Sequence, residues 1–263
     1  MSTDESPHEL DDSKMSFLSH LRELRQRIFY TLAGLLLGTL ICFSWAPEMF
    51  ELLRQPLAEI QDQQMIVIGP LEMFITYLKL AVLAGLFLTS PWILAQIWFF
   101  IAPGLYTHEK KWLAPFIILG SLFFIAGGYF AYAIVLPMGF EYLVQMVPDS
   151  VAAQFSVAVY FALVVRLILA FGIVFELPLV MWILSAAGII HPDTYSSIRK
   201  YWLVISVALA AFLTPPDPFT QLMMAIPLVL FFEAGILGAR ILYKDSKTAE
   251  EENEEESTAL NES

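Results

Sequence analysis

Long apolar stretches, broken by short polar ones, run through most of this chain. Six of them approach the length needed to cross about 30 Å of hydrocarbon at 1.5 Å per residue: 28–46, 71–101, 113–136, 156–184, 201–213 and 219–237. This pattern predicts an all-α integral membrane protein with six transmembrane helices. The second and fourth stretches, at roughly 30 residues, are long enough to project beyond the bilayer or tilt within it. The fifth, at about 13 residues, reaches only about 20 Å. The run Thr214-Pro215-Pro216-Asp217-Pro218 then stops the helix, because proline lacks the amide donor and restricts the residue before it. The fifth and sixth helices are therefore expected as a short hairpin, accommodated by local thinning of the bilayer or by burial against longer helices.

Ahead of the first stretch the periodicity changes. Phe17, Leu21, Leu24 and Ile28 recur at helical spacing and leave Arg22, Glu23, Arg25 and Arg27 on the wetter faces, which predicts an interfacial amphipathic helix feeding the first span. Glu23 stands four residues before Arg27, the favourable order for an ion pair worth about 0.3–0.5 kcal/mol. The stretches 47–70 and 137–155 carry apolar residues such as Phe50, Leu53, Leu57, Phe140 and Leu143, and are expected to form short amphipathic caps at the opposite interface.

Composition agrees with lipid: 58% of the 263 residues are hydrophobic and only 15% charged. That excludes an ordinary soluble domain. The formal net charge of −12 comes largely from acidic residues near the two ends. We expect disordered acidic tails at 1–15 and 244–263, flanking a membrane domain at 16–243. The first apolar stretch lies behind a charged segment and lacks a small-residue cleavage site, so it is expected to stay as a span. Cys42, the single cysteine, reads as a small apolar filler within it.

Orientation follows from Lys and Arg. With the N-terminus inside, the inner segments hold Lys14, Arg22, Arg25, Arg27, Lys110, Lys111, Arg199, Lys200, Arg240, Lys244 and Lys247, while the outer loops hold only Arg54. Both termini are therefore expected in the cytoplasm.

Within the spans, charge is rare and informative. Glu176 sits in the middle of the apolar run 161–184, where a charge costs roughly 2.5–3.5 kcal/mol on insertion scales, so it calls for a partner, a wet cavity or protonation. Arg166 lies ten positions earlier on a different face and is open to lipid phosphate, Glu72 or Glu141. Glu233 lies deep in the sixth stretch and is expected to snorkel inward or to face Glu176. Gly34 and Gly38 form a small-xxx-small pair that permits close helix contact. Pro91, Pro178 and Pro227 are expected to kink the second, fourth and sixth spans.

Several ordered motifs then resemble one family. His20-Leu21-Arg22-Glu23-Leu24-Arg25-Gln26-Arg27 looks like the N-terminal signature of TatC, the multispanning receptor of the twin-arginine protein translocase. Phe100-Ile101-Ala102-Pro103-Gly104-Leu105-Tyr106 with His108-Glu109-Lys110-Lys111 resembles the family's first cytoplasmic loop. Phe171-Gly172 with Phe175-Glu176-Leu177-Pro178 resembles its fourth span. Leu213-Thr214-Pro215-Pro216-Asp217-Pro218-Phe219 with Gln221 resembles its last outer turn. The resemblance covers roughly residues 16–243.

The resemblance implies a concave, glove-like helix wall in the bacterial inner membrane. It also implies binding of twin-arginine signal peptides on folded cargo, recruitment of single-span TatA-type and TatB-type partners, homo-oligomers within the complex, contact with membrane lipids, and export driven by the proton-motive force. No enzymatic activity, metal, cofactor or nucleic-acid partner is implied. Glu23 and Glu109 match the positions that hold the two guanidinium groups, where charge-assisted hydrogen bonds are worth about 1.5–3 kcal/mol each. Arg25 and Phe100 match positions that shape the same surface. Glu176 matches the intramembrane glutamate that draws a partner helix. Pro56, Tyr132 and Asp217 match positions at or near the outer face, although a proline turn, an interfacial tyrosine and a helix cap explain them too. From the residues alone, a secondary transporter using Glu176 as its coupling carboxylate, and a structural scaffold, stay open.

Overall fold

The computed structural model describes the backbone of residues 7–58, 65–101, 113–148, 150, 154–186, 188–213 and 218–261. Side chains are described for those residues within 19–243, except 101, 113–114 and 219. The elements in chain order are α1 (Pro7–Phe43), α2 (Ala46–Ala58), α3 (Glu72–Ile101), α4 (Leu113–Phe130), a π-helical turn (Ala131–Val135), α5 (Leu136–Gln145), α6 (Val157–Ala186), α7 (Pro192–Ser197), α8 (Arg199–Leu213) and α9 (Pro218–Asn261). Five helical stretches are long and apolar enough to cross a membrane: Ser19–Phe43, Glu72–Phe100, Pro115–Gln145, Val157–Ala186 and Thr220–Tyr243.

α6 is the centre of the assembly, packing against α4, α9 and α3, while α1 lies on α3 and α8 on α9. Its buried face, including Tyr160, Phe161, Val164, Leu167, Ile168 and Phe171, forms the main core with Phe50, Leu80 and Leu136. The faces left exposed are also apolar, as in Leu36, Leu40, Ile173 and Leu230, which suits helices whose solvent is hydrocarbon.

Small residues set the closest approach. A Cβ on Gly85 of α3 would lie 2.6 Å from the Thr39 backbone nitrogen of α1, and one on Gly38 would lie 3.0 Å from the Gly85 carbonyl oxygen. Of the glycine pair read in the first span, Gly38 thus meets Gly85 across the interface, and the two backbones touch where any side chain would hold them apart, while Gly34 makes room for the Trp92 ring.

Two expectations about the elements change. The third apolar stretch does not end at 136: it continues as helix to Gln145. Pro137 lacks an amide donor, and the chain absorbs this by widening one turn, with the Leu136 N–H bonded to the Ala131 carbonyl five residues back. Only the fifth stretch is short. α8 has 15 residues, about 22 Å, whereas α9 carries a span of 24 residues. Within α9, Glu233 and Arg240 both find partners on neighbouring elements. The Arg199 guanidinium of α8 lies 2.7 Å from Glu233, and Arg240 lies 3.8 Å from Asp193 and 2.9 Å from the Ser196 hydroxyl. Helical backbone starts at Pro7 and continues to Asn261.

Prolines inside α2 and α3 free carbonyls that other groups then satisfy. Pro91 gives no N–H to Phe87, and the Ser90 hydroxyl donates to that carbonyl at 2.8 Å. Pro56 likewise leaves the Leu52 carbonyl open.

Candidate functional site

The part of α1 before its apolar span meets the end of α3 through a small polar cluster. His20 stacks on Phe100 with ring centroids 4.4 Å apart. One turn further along α1, the Glu23 carboxylate lies 3.3 Å from Arg27 Nη2, the i,i+4 pair legible in the sequence. Arg27 also reaches α3: its Nη1 donates to Gln96 Oε1 at 3.3 Å, and its guanidinium lies 5.1 Å from the centroid of the Phe99 ring. Gln96 is buried, so it lends Arg27 a fixed acceptor at the helix interface. Arg25 is exposed on α1. The structure therefore brings together Glu23, Phe100, Arg27 and Gln96; the last has no counterpart in the sequence reading. Glu109 lies outside the described residues, nine positions after Phe100 in the chain.

The second site lies within the helices. Glu176 faces α4, where a Cβ on Gly120 would lie 3.2 Å from its Oε2. Its Oε1 is buried without a hydrogen-bond partner among the described residues. The absence of a side chain at Gly120 makes room for the carboxyl group. Glu233 does not share this place, because Arg199 holds it. Arg166 is exposed with its guanidinium 5.9 Å from the Phe212 ring centroid, and it pairs with neither of the acids the sequence offered.

The opposite rim holds Pro56 and Tyr132 together. The Tyr132 hydroxyl donates to the Leu52 carbonyl at 3.0 Å, the acceptor that Pro56 leaves open, and lies 3.2 Å from Gln55 Oε1. Tyr160 donates to the next carbonyl, Leu53, at 2.7 Å. Asp217 lies outside the described residues.

The same rim contains a constellation that sequence reasoning missed. Glu72 accepts from the Ile68 and Gly69 amides at 2.6 and 3.1 Å, from the Ala158 amide at 2.6 Å and from the Ser156 hydroxyl at 2.7 Å. Beside it, Ile66 and Ser156 form an isolated parallel bridge, with the Ile66 amide on the Phe155 carbonyl and the Val157 amide on the Ile66 carbonyl, both at 3.0 Å. One carboxylate thus caps the first turn of α6 and closes the turn into its own helix, tying two connections into a single rim. Three of its four donors are backbone amides, which leave no mark in a residue pattern.

Known proteins share this sequence and fold. The model of the family described as Sec-independent protein translocase protein (TatC) matches residues 19–227. A relative of that name from Magnetococcus marinus is 39% identical over 247 residues, spanning 93% of this chain and 90% of the relative. One from Desulforapulum autotrophicum is 38% identical over 249 residues, spanning 94% and 92%. A crystal structure described as the twin-arginine translocase receptor TatC superposes with a TM-score of 0.78 at 38% identity, covering 85% of this chain and 99% of the other. The chain belongs to the TatC family, multi-pass membrane components of a protein translocase that work without enzymatic chemistry.

Proposed function

We propose that this chain is the core receptor of its translocase. It binds twin-arginine signal peptides of folded precursors at a cytoplasmic surface built from Glu23 and Glu109, with Arg25 and Phe100 shaping that surface. The observation that carries this reading is the 4.4 Å stack of His20 on Phe100. It sets the helix face bearing Glu23 beside the end of α3, from which the chain leads in nine residues to Glu109. Two carboxylates on one surface suit two adjacent guanidinium groups, each of which donates charge-assisted bonds from its N–H fork to a carboxylate.

In this reading six helices cross the bacterial inner membrane, α8 being the short fifth, and both termini face the cytoplasm, as the Lys and Arg distribution supports. The helices form a wall concave on one side. Glu176 faces that side and draws a polar group of a TatA-type or TatB-type single-span partner, whose alternative is hydrocarbon. Copies of the chain assemble with these partners, and the proton-motive force drives export.

The test is binding of a synthetic twin-arginine signal peptide to the full chain in lipid nanodiscs. Glu23→Ala and Glu109→Ala are each expected to weaken binding, and a double variant that binds as the parent does would remove the assignment.

A further inference from the structure

Arg27 presents Glu23 with the same chemical group that an arginine-bearing peptide would bring. Yet the contact is loose. Nη2 lies 3.3 Å from a single carboxylate oxygen, where charge-assisted bonds favour about 2.7–2.9 Å, and the Arg199–Glu233 pair in the same molecule closes to 2.7 Å. No other hydrogen bond to the Glu23 carboxylate is found among the described residues. Both partners of the pair are about one-third exposed, with side-chain exposures of 29% for Arg27 and 32% for Glu23, so an incoming group has access. Arg27 also has somewhere to go. Gln96 Oε1 and the Phe99 ring already hold the rest of its guanidinium, so letting go of Glu23 does not strand a charge without partners.

We propose that Arg27 is the resting occupant of the Glu23 carboxylate, and that a peptide guanidinium displaces it onto Gln96 and Phe99. Glu23 is thereby held in a defined rotamer and kept from other cations until a ligand offers two well-aligned N–H groups in place of one stretched contact. Lysine, a point charge without the fork, gains less from the exchange. The inference rests on the reading of Glu23 as a signal-peptide contact.

The test measures binding of a labelled twin-arginine peptide, and of its Lys-Lys counterpart, to the full chain in nanodiscs. Arg27→Gln removes the competitor and is expected to tighten arginine-peptide binding by about twofold, the worth of an i,i+4 ion pair. Gln96→Leu removes the fallback acceptor, confines Arg27 to Glu23 and is expected to weaken binding. Glu23→Gln is expected to weaken binding about tenfold or more, and adding Arg27→Gln to it should change nothing further. If Arg27 only braced the helix pair, Arg27→Gln and Gln96→Leu would both weaken binding, and that result overturns the proposal while the receptor reading stands. If Glu23→Gln binds as the parent does, the receptor reading of Glu23 falls, and the exchange with it.

Discussion

The Tyr132 hydroxyl sits 3.0 Å from the Leu52 carbonyl oxygen, on the acceptor that Pro56, four residues on, is unable to engage. A proline in one helix and a tyrosine 76 positions later, 132 against 56, are thus halves of one device. Tyr132 supplies from outside the helix the hydrogen that the imino acid withholds.

Tyr132→Phe is therefore expected to destabilise the protein by about 1 kcal/mol, the net worth of one such bond. Pro56→Ala restores an amide at the site and should make the same tyrosine substitution close to neutral. Thermal unfolding of the four variants in one detergent forms the cycle that measures this coupling.

The Glu72 network predicts a linked loss. Glutamine in its place offers one acceptor oxygen and turns an N–H toward amides that are themselves donors. Hydrogen exchange in Glu72→Gln is expected to rise at Ile68 and Gly69 and also at Ala158, 86 residues away from position 72. Faster exchange confined to the nearer connection would mean that the bridge alone holds the rim.

Close backbone contact between α1 and α3 gives a third expectation. Gly85→Ala places a methyl 2.6 Å from the Thr39 nitrogen, and neither backbone is free to yield without separating the helices. Overpacking of this kind costs about 1–3 kcal/mol. Gly69→Ala, where nothing lies within 4 Å, is the control and should leave the melting temperature unchanged.

How much of this was legible in the sequence depended on how each feature is encoded. Hydropathy over 20–30 residues reports burial in lipid whatever the fold, so the five long spans stood out. The i,i+4 spacing of Glu23 and Arg27 on one helix gave their pair directly. The end of the third stretch was placed at 136, whereas the helix runs on past Pro137 through a widened turn that leaves no mark in hydropathy. The contacts of Arg240 with Asp193 and Ser196 were not legible, because those partners lie in a different element. Arg27–Gln96 joins residues 69 positions apart, and Glu72 meets mostly backbone amides; neither leaves a local period.

Carboxylates at two depths divide the labour in this reading, one set for the peptide and one for the partner helix, and photocrosslinking distinguishes them. A photoreactive residue is placed at position 109 in one variant and at position 176 in another, each within the assembled translocase. Position 109 is expected to capture a twin-arginine signal peptide and position 176 a single-span partner helix. Capture in the opposite order, or peptide capture at 176 alone, would contradict it.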